Sequence, residues 1–373
     1  MSKTILITGG AGFIGAHLAT ELMGRGCRVR ALDNLLPQVH GPERQRPAYL
    51  NPDVELVAGD VRDPDAVTRA LDRVSAVFHL VALVGVGQSM YELSEYTSVN
   101  CLGTAALLEA ITTRHRVERL VVASSMSIYG EGAYRNARGE RREAVERSPE
   151  RLKMGDWEVR DAGGEMLTPE ATPESKEADP ASLYALSKFV QEKMCLNIGK
   201  AYGIDTVALR FFNTYGPYQA LSNPYTGVLS NFAARVLNGK APLIYEDGLQ
   251  KRDFVSVYDV ARACRLALET PEAAGGAFNI SSGVPMTVRE VAERAVRAIG
   301  RPNLEPEITG RYRAGDIRHC FADIGRARRV LKYEPLVSLE DGLKDLSSWL
   351  ERQTASDRGV EARAELASRG LMV

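Results

Sequence analysis

A short glycine turn constrains this chain more than any other stretch of it. The apolar run Thr4-Ile5-Leu6-Ile7-Thr8 leads directly into Gly9-Gly10-Ala11-Gly12-Phe13-Ile14-Gly15, and a pattern of helical period follows over residues 14–23. Between a strand and a helix such glycines have separate uses. Gly9 permits the tight turn, Gly12 lets backbone approach a pyrophosphate, and Gly15 allows close helix–strand packing. The helix start then offers free N–H groups and positive dipole, so Phe13 and Ile14 count with the glycines as dinucleotide contacts.

Strand-like runs recur at 29–32, 54–57, 76–80, 120–123 and 206–211, separated by helical patterns such as 66–71 and 104–112. Strands that are apolar on both faces belong to a parallel sheet covered on both sides. The prediction is an α/β fold, a doubly wound parallel sheet with a smaller mixed α/β domain for the substrate. Residues 1–212 would form the dinucleotide domain, with a returning segment at about 250–282. Residues 213–249 and 283–350 would form the smaller domain, with helices at 228–238, 287–299 and 339–349. The tail, 354–373, is charged and poorly patterned, so disorder is expected there. Residues 131–179 are crowded with charge and have little periodicity; they read as a surface insertion near the site mouth or a mobile flap.

Asp33 lies eighteen residues beyond Gly15, at the end of Arg28-Val29-Arg30-Ala31-Leu32. A carboxylate there accepts hydrogen bonds from ribose hydroxyls and repels a 2′-phosphate, which favours NAD over NADP. Asn34 follows it. Asp60 and Val61, after the third strand and Gly59, are positioned for the adenine edge, whereas Asp63 reads equally well as an ordinary helix N-cap before Pro64.

Tyr184 and Lys188 stand four apart in Ser182-Leu183-Tyr184-Ala185-Leu186-Ser187-Lys188, so they share one helical face. A nearby ammonium, together with the cofactor's positive charge, stabilises a tyrosinate and should lower its pKa from ~10, letting the phenolate take a proton from a hydroxyl as hydride leaves. Ser124-Ser125 follows the strand Leu120-Val121-Val122-Ala123, at the C-terminal end of a central strand, where an α/β sheet puts its ligand. Together these groups suit hydride chemistry on an alcohol or ketone.

Composition narrows the partners. Formal net charge is −1, with no basic excess for nucleic acid or an anionic membrane. The five cysteines are scattered and lack a Cys-x-x-Cys pair, so reduced thiols and no zinc site are expected. Neither a signal peptide nor a run of ~20 apolar residues is present, which points to the cytoplasm.

Further motifs occur in order after the glycine turn: Ser124-Ser125-Met126-Ser127-Ile128-Tyr129-Gly130, Tyr184-x-x-x-Lys188, Arg210-Phe211-Phe212-Asn213-Thr214-Tyr215-Gly216-Pro217, and Arg252-Asp253-Phe254-Val255-Ser256-Val257-Tyr258-Asp259. Over residues 1–350 the chain resembles extended short-chain dehydrogenases/reductases of the nucleotide-sugar epimerase/dehydratase type. The resemblance implies a catalytic set of Ser125, Tyr184 and Lys188. It extends the NAD contacts to Leu80, Ala82, Asn100 and Phe211. For a nucleotide-diphosphate sugar, dTDP- or UDP-linked, it implies Val86, Ser127, Asn213, Val228, Tyr245, Arg252, Arg313 and Asp316. Among these, Val228 and Tyr245 would flank the base, and the arginines would pair with the diphosphate. It also implies a homodimer built from the Tyr184 helix and the 104–112 helix of two subunits.

Dehydratase relatives carry an Asp-Glu pair just after the catalytic hydroxyl, where this chain has Met126 and Ser127. Neither can do acid/base work on a leaving hydroxyl, so epimerisation at C4 through a transient 4-keto sugar fits best. The segments at 222–228, 245–248 and 315–320 are similar to dTDP-L-rhamnose 4-epimerase-like members, whose insertion often carries paired cysteines. The insertion here has none, so no metal is expected. A ketosugar reductase consuming NAD(P)H, a UDP-uronate decarboxylase and a non-catalytic NAD sensor remain as alternatives.

Overall fold

Alternation of strand and helix builds the first domain directly. The computed structural model describes residues 3–353 and 359–372 apart from Ser222, Pro224, Thr226 and Ala314, and apart from the side chain of Val360. Part of the 222–228 motif, and Ala314 beside Arg313, therefore lie outside the described residues. The strands are β1 (Thr4–Thr8), β2 (Arg28–Asp33), β3 (Glu55–Ala58), β4 (Ala76–His79), β5 (Arg119–Ser125), β6 (Asp205–Phe211) and β7 (Ala277–Ile280). They form one sheet in the order β7-β6-β5-β4-β1-β2-β3, and every pairing is parallel. The direction of winding reverses between β1 and β4, and a crevice opens at the carboxyl ends of these strands.

The pleat of the strands divides the core into two layers. Ile5 and Ile7 of β1 join Leu18, Phe78, Val121, Leu209 and Val260 on one side, under α1 (Phe13–Met23) and the later helix Val257–Glu269. Leu6 joins Val77, Leu107, Leu120 and Cys195 on the other, under α2 (Pro64–Leu71), α3 (Gly103–Thr113) and α4 (Leu183–Tyr202). Asp63 caps α2 by accepting the Asp65 N–H at 2.9 Å. A single wide π turn, Ser98–Leu102, precedes α3 and carries Asn100.

A second core lies over the carboxyl edge. Phe232, Phe254, Val291, Leu343 and Leu346 pack the helices Val228–Leu237, Val288–Ala298 and Leu339–Leu350 together. Thr287 and Glu290 form a reciprocal cap at the start of the middle helix. Strand Lys251–Ser256 joins this layer to the site, pairing with Asn213–Tyr215 and with Pro285–Thr287. No helix among the described residues is long and apolar enough to cross a membrane.

Two segments differ from expectation. The charged insertion is not a structureless flap: Ala133–Arg135, Arg141–Arg142 and Thr168–Glu170 form a small antiparallel sheet over Tyr134, Val159 and Leu167. Its exit is stitched down, because Asn279 of β7 donates to the Thr172 carbonyl at 2.9 Å and its N–H reaches Glu174 at 2.9 Å. The tail is likewise not disordered over its described part, which contains a helix, α5 (Gly359–Ser368). Local pattern was too weak to reveal either, since both owe their shape to what they pack against.

Candidate active site

The glycine turn closes as its sequence requires. Gly9 has φ +71°, and its N–H donates to the Leu32 carbonyl at 2.8 Å. A β-carbon on Gly15 would fall 2.5 Å from the Gly9 carbonyl oxygen, so only glycine lets α1 start this close to β1. Gly12 stands at the N-cap of α1, leaving first-turn N–H groups of Phe13, Ile14 and Gly15 without intrahelical acceptors. Leu80 and Ala82 flank Val81, whose backbone packs against Gly9.

Asp33 is buried and already tied to the turn, accepting the Ala11 N–H at 3.1 Å and the Leu35 N–H at 2.9 Å. Beside it, Asn34 donates to Asp60 at 3.2 Å. Hydrogen bonding by Arg62 holds the Asp60 carboxyl down at about 2. Val61 is buried next to it. A glycine cradle with an aimed helix start, a buried acid and a second fixed acid fits a dinucleotide with free ribose hydroxyls.

The pleat of β5 separates its two serines. Ser124 points into the core and donates to Glu192 at 2.6 Å, and Glu192 is bound in turn by Arg210 at 2.6 Å. Ser125 faces the cleft, accepts the Ser127 N–H at 3.1 Å and is hydrogen-bonded to Tyr184. Burial raises the Tyr184 pKa, with the Ser125 hydrogen bond only partly opposing it. Burial therefore works against the lowering expected from Lys188 together with the cofactor's charge. Lys188 directs its ammonium to the Gln191 side-chain oxygen at 2.7 Å, and burial brings its own pKa down to about 8.

Behind Lys188 runs a buried polar thread. The Gln191 amide donates to the Thr104 hydroxyl at 2.9 Å, and Thr104 donates to the Asn100 carbonyl at 2.6 Å. The two His79 nitrogens meet Thr104 at 2.8 Å and Thr8 at 2.9 Å. Because the single Thr104 proton goes to Asn100, His79 must be the donor to Thr104. Burial keeps this imidazole neutral, with its pKa down at about 3. The Asn100 side chain clamps the segment after β4 to α4, accepting the Leu83 N–H at 2.8 Å and donating to Ser187 at 2.9 Å.

A cleft of about 430 Å³ opens in front of Ser125 and Tyr184. Every residue that the sequence assigned to the substrate lines it: Val86, Ser125, Ser127, Asn213, Val228, Tyr245, Arg252, Arg313 and Asp316. Phe211 lines it too, whereas Lys188 and the glycine turn lie behind it. Arg313 donates to Asp316 at 2.8 Å and lies 4.9 Å over the Tyr245 ring. Arg252 holds the neighbouring chain, donating to the Ile317 carbonyl at 2.6 Å and the Arg318 carbonyl at 2.8 Å.

Sequence reading missed three parts of this wall. The side-chain oxygens of Asn213, Gln219 and Gln250 are buried without partners beside the cleft; only Asn213 had been singled out, although Gln219 closely follows the Gly216-Pro217 motif. The insertion braces the site: its Arg147 pairs with Glu246 at 2.8 Å, while fully buried Arg318 pairs with Glu158 at 2.7 Å, Glu246 at 2.8 Å and Asp247 at 2.6 Å. Finally, α5 contributes Ala362, Arg363 and Leu366. Charged surface runs hide such long-range pairing.

With this geometry in hand, the comparisons with known proteins are direct. Residues 5–151 and 159–281 match the NAD dependent epimerase/dehydratase family. The dTDP-L-rhamnose 4-epimerase of Burkholderia thailandensis is 36% identical, covering 94% of this chain and 96% of that one. A crystal structure of UDP-glucose 4-epimerase from Thermotoga maritima with UDP-glucose superposes with TM-score 0.75 at 29% identity, over 94% of this chain and 99% of that one. The Thermus thermophilus UDP-glucose 4-epimerase complex with NAD gives TM-score 0.73 at 30% identity, over the same shares of the two chains.

Proposed function

This chain belongs to the NAD dependent epimerase/dehydratase family, and we propose that it inverts C4 of a nucleoside-diphosphate sugar through a transient 4-keto sugar. The observation that carries the reading is the mouth of the cleft. Ser125 and Tyr184 are hydrogen-bonded there, and Met126 and Ser127 stand where a dehydration would need carboxyl groups.

The glycine turn with Asp33, Asn34, Asp60 and Val61 would hold NAD, which when bound would supply hydride acceptor and donor chemistry at C4. Tyr184 takes the proton of the sugar 4-hydroxyl and gives it back after the ketone has turned over. Ser125 orients the reacting oxygen by hydrogen bonding. Lys188 supplies positive charge behind the phenol, which favours its ionised form once water is displaced from the cleft. Asn213, Arg252 and Arg313 bind the diphosphate, with Asp316 holding Arg313 in place, while Val228 and Tyr245 flank the base. A planar guanidinium suits the two-pronged grip that a phosphate needs. Val86 and Ser127 border the sugar.

The enzyme works as a cytoplasmic homodimer formed by α3 and α4 of two subunits, in carbohydrate biosynthesis. Leu102 and Leu186, 60% and 44% exposed beside and on these helices, support the dimer. The test is incubation of the purified protein, without added cofactor, against UDP- and dTDP-sugars, including dTDP-L-rhamnose. A product of unchanged mass with inverted C4 by NMR is expected. Turnover only of a 4-ketosugar once NADH is supplied would make it a reductase, and loss of CO₂ would make it a decarboxylase.

A further inference from the structure

The tail helix has no part in the roles assigned so far, yet it is built into the cleft. Gly359, Ala362, Arg363 and Leu366 line it, at spacings that put all four on one helical face. That face is anchored at several points. Leu366 is buried against Gly87, where a β-carbon would come within 3.3 Å of the leucine. The Arg369 guanidinium lies 4.5 Å over the Tyr91 ring. Beyond the helix, Met372 forms an antiparallel bridge with Arg313, in the segment that closes the other side of the cleft.

Arg363 is the unusual member of this face. It is half-buried, and it makes no hydrogen bond or ion pair with any described residue, whereas Arg369 on the same helix is bound to Glu365 at 2.6 Å. The carboxylates of the cleft are already engaged: Glu246 by Arg147 and Arg318, Asp316 by Arg313. Across from the tail, the unpartnered oxygens of Asn213, Gln219 and Gln250 call for a ligand that donates hydrogen bonds. The cleft thus needs an occupant with hydroxyl or N–H donors at one part and negative charge at another. An arginine partly withdrawn from water without a counterion is costly unless an anion completes it.

We propose that the segment 359–372 is a wall of the substrate cleft and that Arg363 binds the diphosphate of the sugar nucleotide. This rests on the reading of the cleft as a sugar-nucleotide site. It makes the tail a binding element of the enzyme, with Leu366 sealing the side of the cleft next to Gly87.

The test is titration calorimetry of UDP and dTDP into the full-length protein and into R363A, R363K, L366A and S368A, with steady-state kinetics on the sugar nucleotide. R363A should weaken nucleoside-diphosphate affinity about 10-fold or more, the size of a lost charge-assisted contact. It should raise KM to match while leaving kcat and bound NAD close to the parent. R363K should regain part of the loss, L366A should show a smaller one, and S368A, at an exposed position of the same helix, should match the parent. Parental affinity in R363A overturns the proposal, whatever L366A does. If the unaltered protein binds neither nucleotide, the reading of the cleft fails, and the role of Arg363 fails with it.

Discussion

The glycine turn at residues 9–15 and the wall at residues 311–319 border the same active site, yet they are held in different ways. The turn is fixed by backbone: Gly9 bonds to Leu32, Gly12 bonds to Gly9, and a side chain on Gly15 would collide with the main chain. The wall is fixed by side chains far apart in sequence. Arg318 gathers Glu158, Glu246 and Asp247, and Arg147 reaches Glu246 from the insertion. Backbone geometry leaves a local signature in sequence, whereas a buried ion cluster leaves only scattered charges that look like surface.

This contrast can be broken most forcefully at the chemistry between the two sides. Y184F should lower kcat by about 10²–10⁴-fold, the usual worth of a positioned acid/base group, without loss of bound NAD. If the cofactor dissociates as well, the two sides are not separable.

On the wall, R318M would take the shared partner from Glu158, Asp247 and the buried Glu246, leaving Glu246 to Arg147 alone, and should destabilise the protein by about 2–3 kcal/mol in denaturant melts. Its sugar-nucleotide KM should rise while NAD content in the surviving folded protein holds. A change below about 1 kcal/mol would mean that packing, not ion pairing, holds the wall.

On the turn, D33N should weaken NAD retention and relax discrimination against NADP by about tenfold, read by competition between the two cofactors. An unchanged preference would remove Asp33 from that role.

The smallest effects are in stability against pH, and they fall at opposite ends of the scale. Lys188 titrates at about 8 in the folded protein, below its ordinary value near ~10.5. Between these values the unfolded chain binds more protons, so stability rises with pH across that window. K188M should flatten the rise. Glu158, hydrogen-bonded by His319 and Arg318, titrates at about 2. Its contribution is present above the ordinary carboxyl range and is lost as pH falls towards 2, and E158Q should flatten that acid limb. Melting temperatures against pH would check both.

These contrasts also explain what could be read in advance. Strand alternation and helical period gave the sheet, because its central strands are buried on both faces by neighbours of regular pattern. Asp33 was legible from its place at the end of β2. The functional difference between Ser124 and Ser125 came only with the family pattern; physically it is a matter of pleat parity, which the last residue of a strand does not reveal. At Tyr184 the sequence showed the charge of Lys188 but not the burial that opposes it. The insertion has a core of only Tyr134, Val159 and Leu167, too sparse for a periodic signal. The tail helix shows few apolar positions, and its order comes from docking Ala362 and Leu366 into the cleft.

The thread behind Lys188 has a consequence for where protons can go. A hydrogen-bonded chain conducts only if all its donors point the same way. Here Gln191 and His79 both donate into Thr104, and the Thr104 proton is directed sideways to Asn100, so the two arms meet head to head. Thr8, His79, Thr104 and Gln191 have no exposed surface at all. The thread is an insulator: it stiffens the rear of the site while blocking leakage through the sheet. On the proposed mechanism, a proton taken up by Tyr184 is not lost backwards through this thread into the sheet.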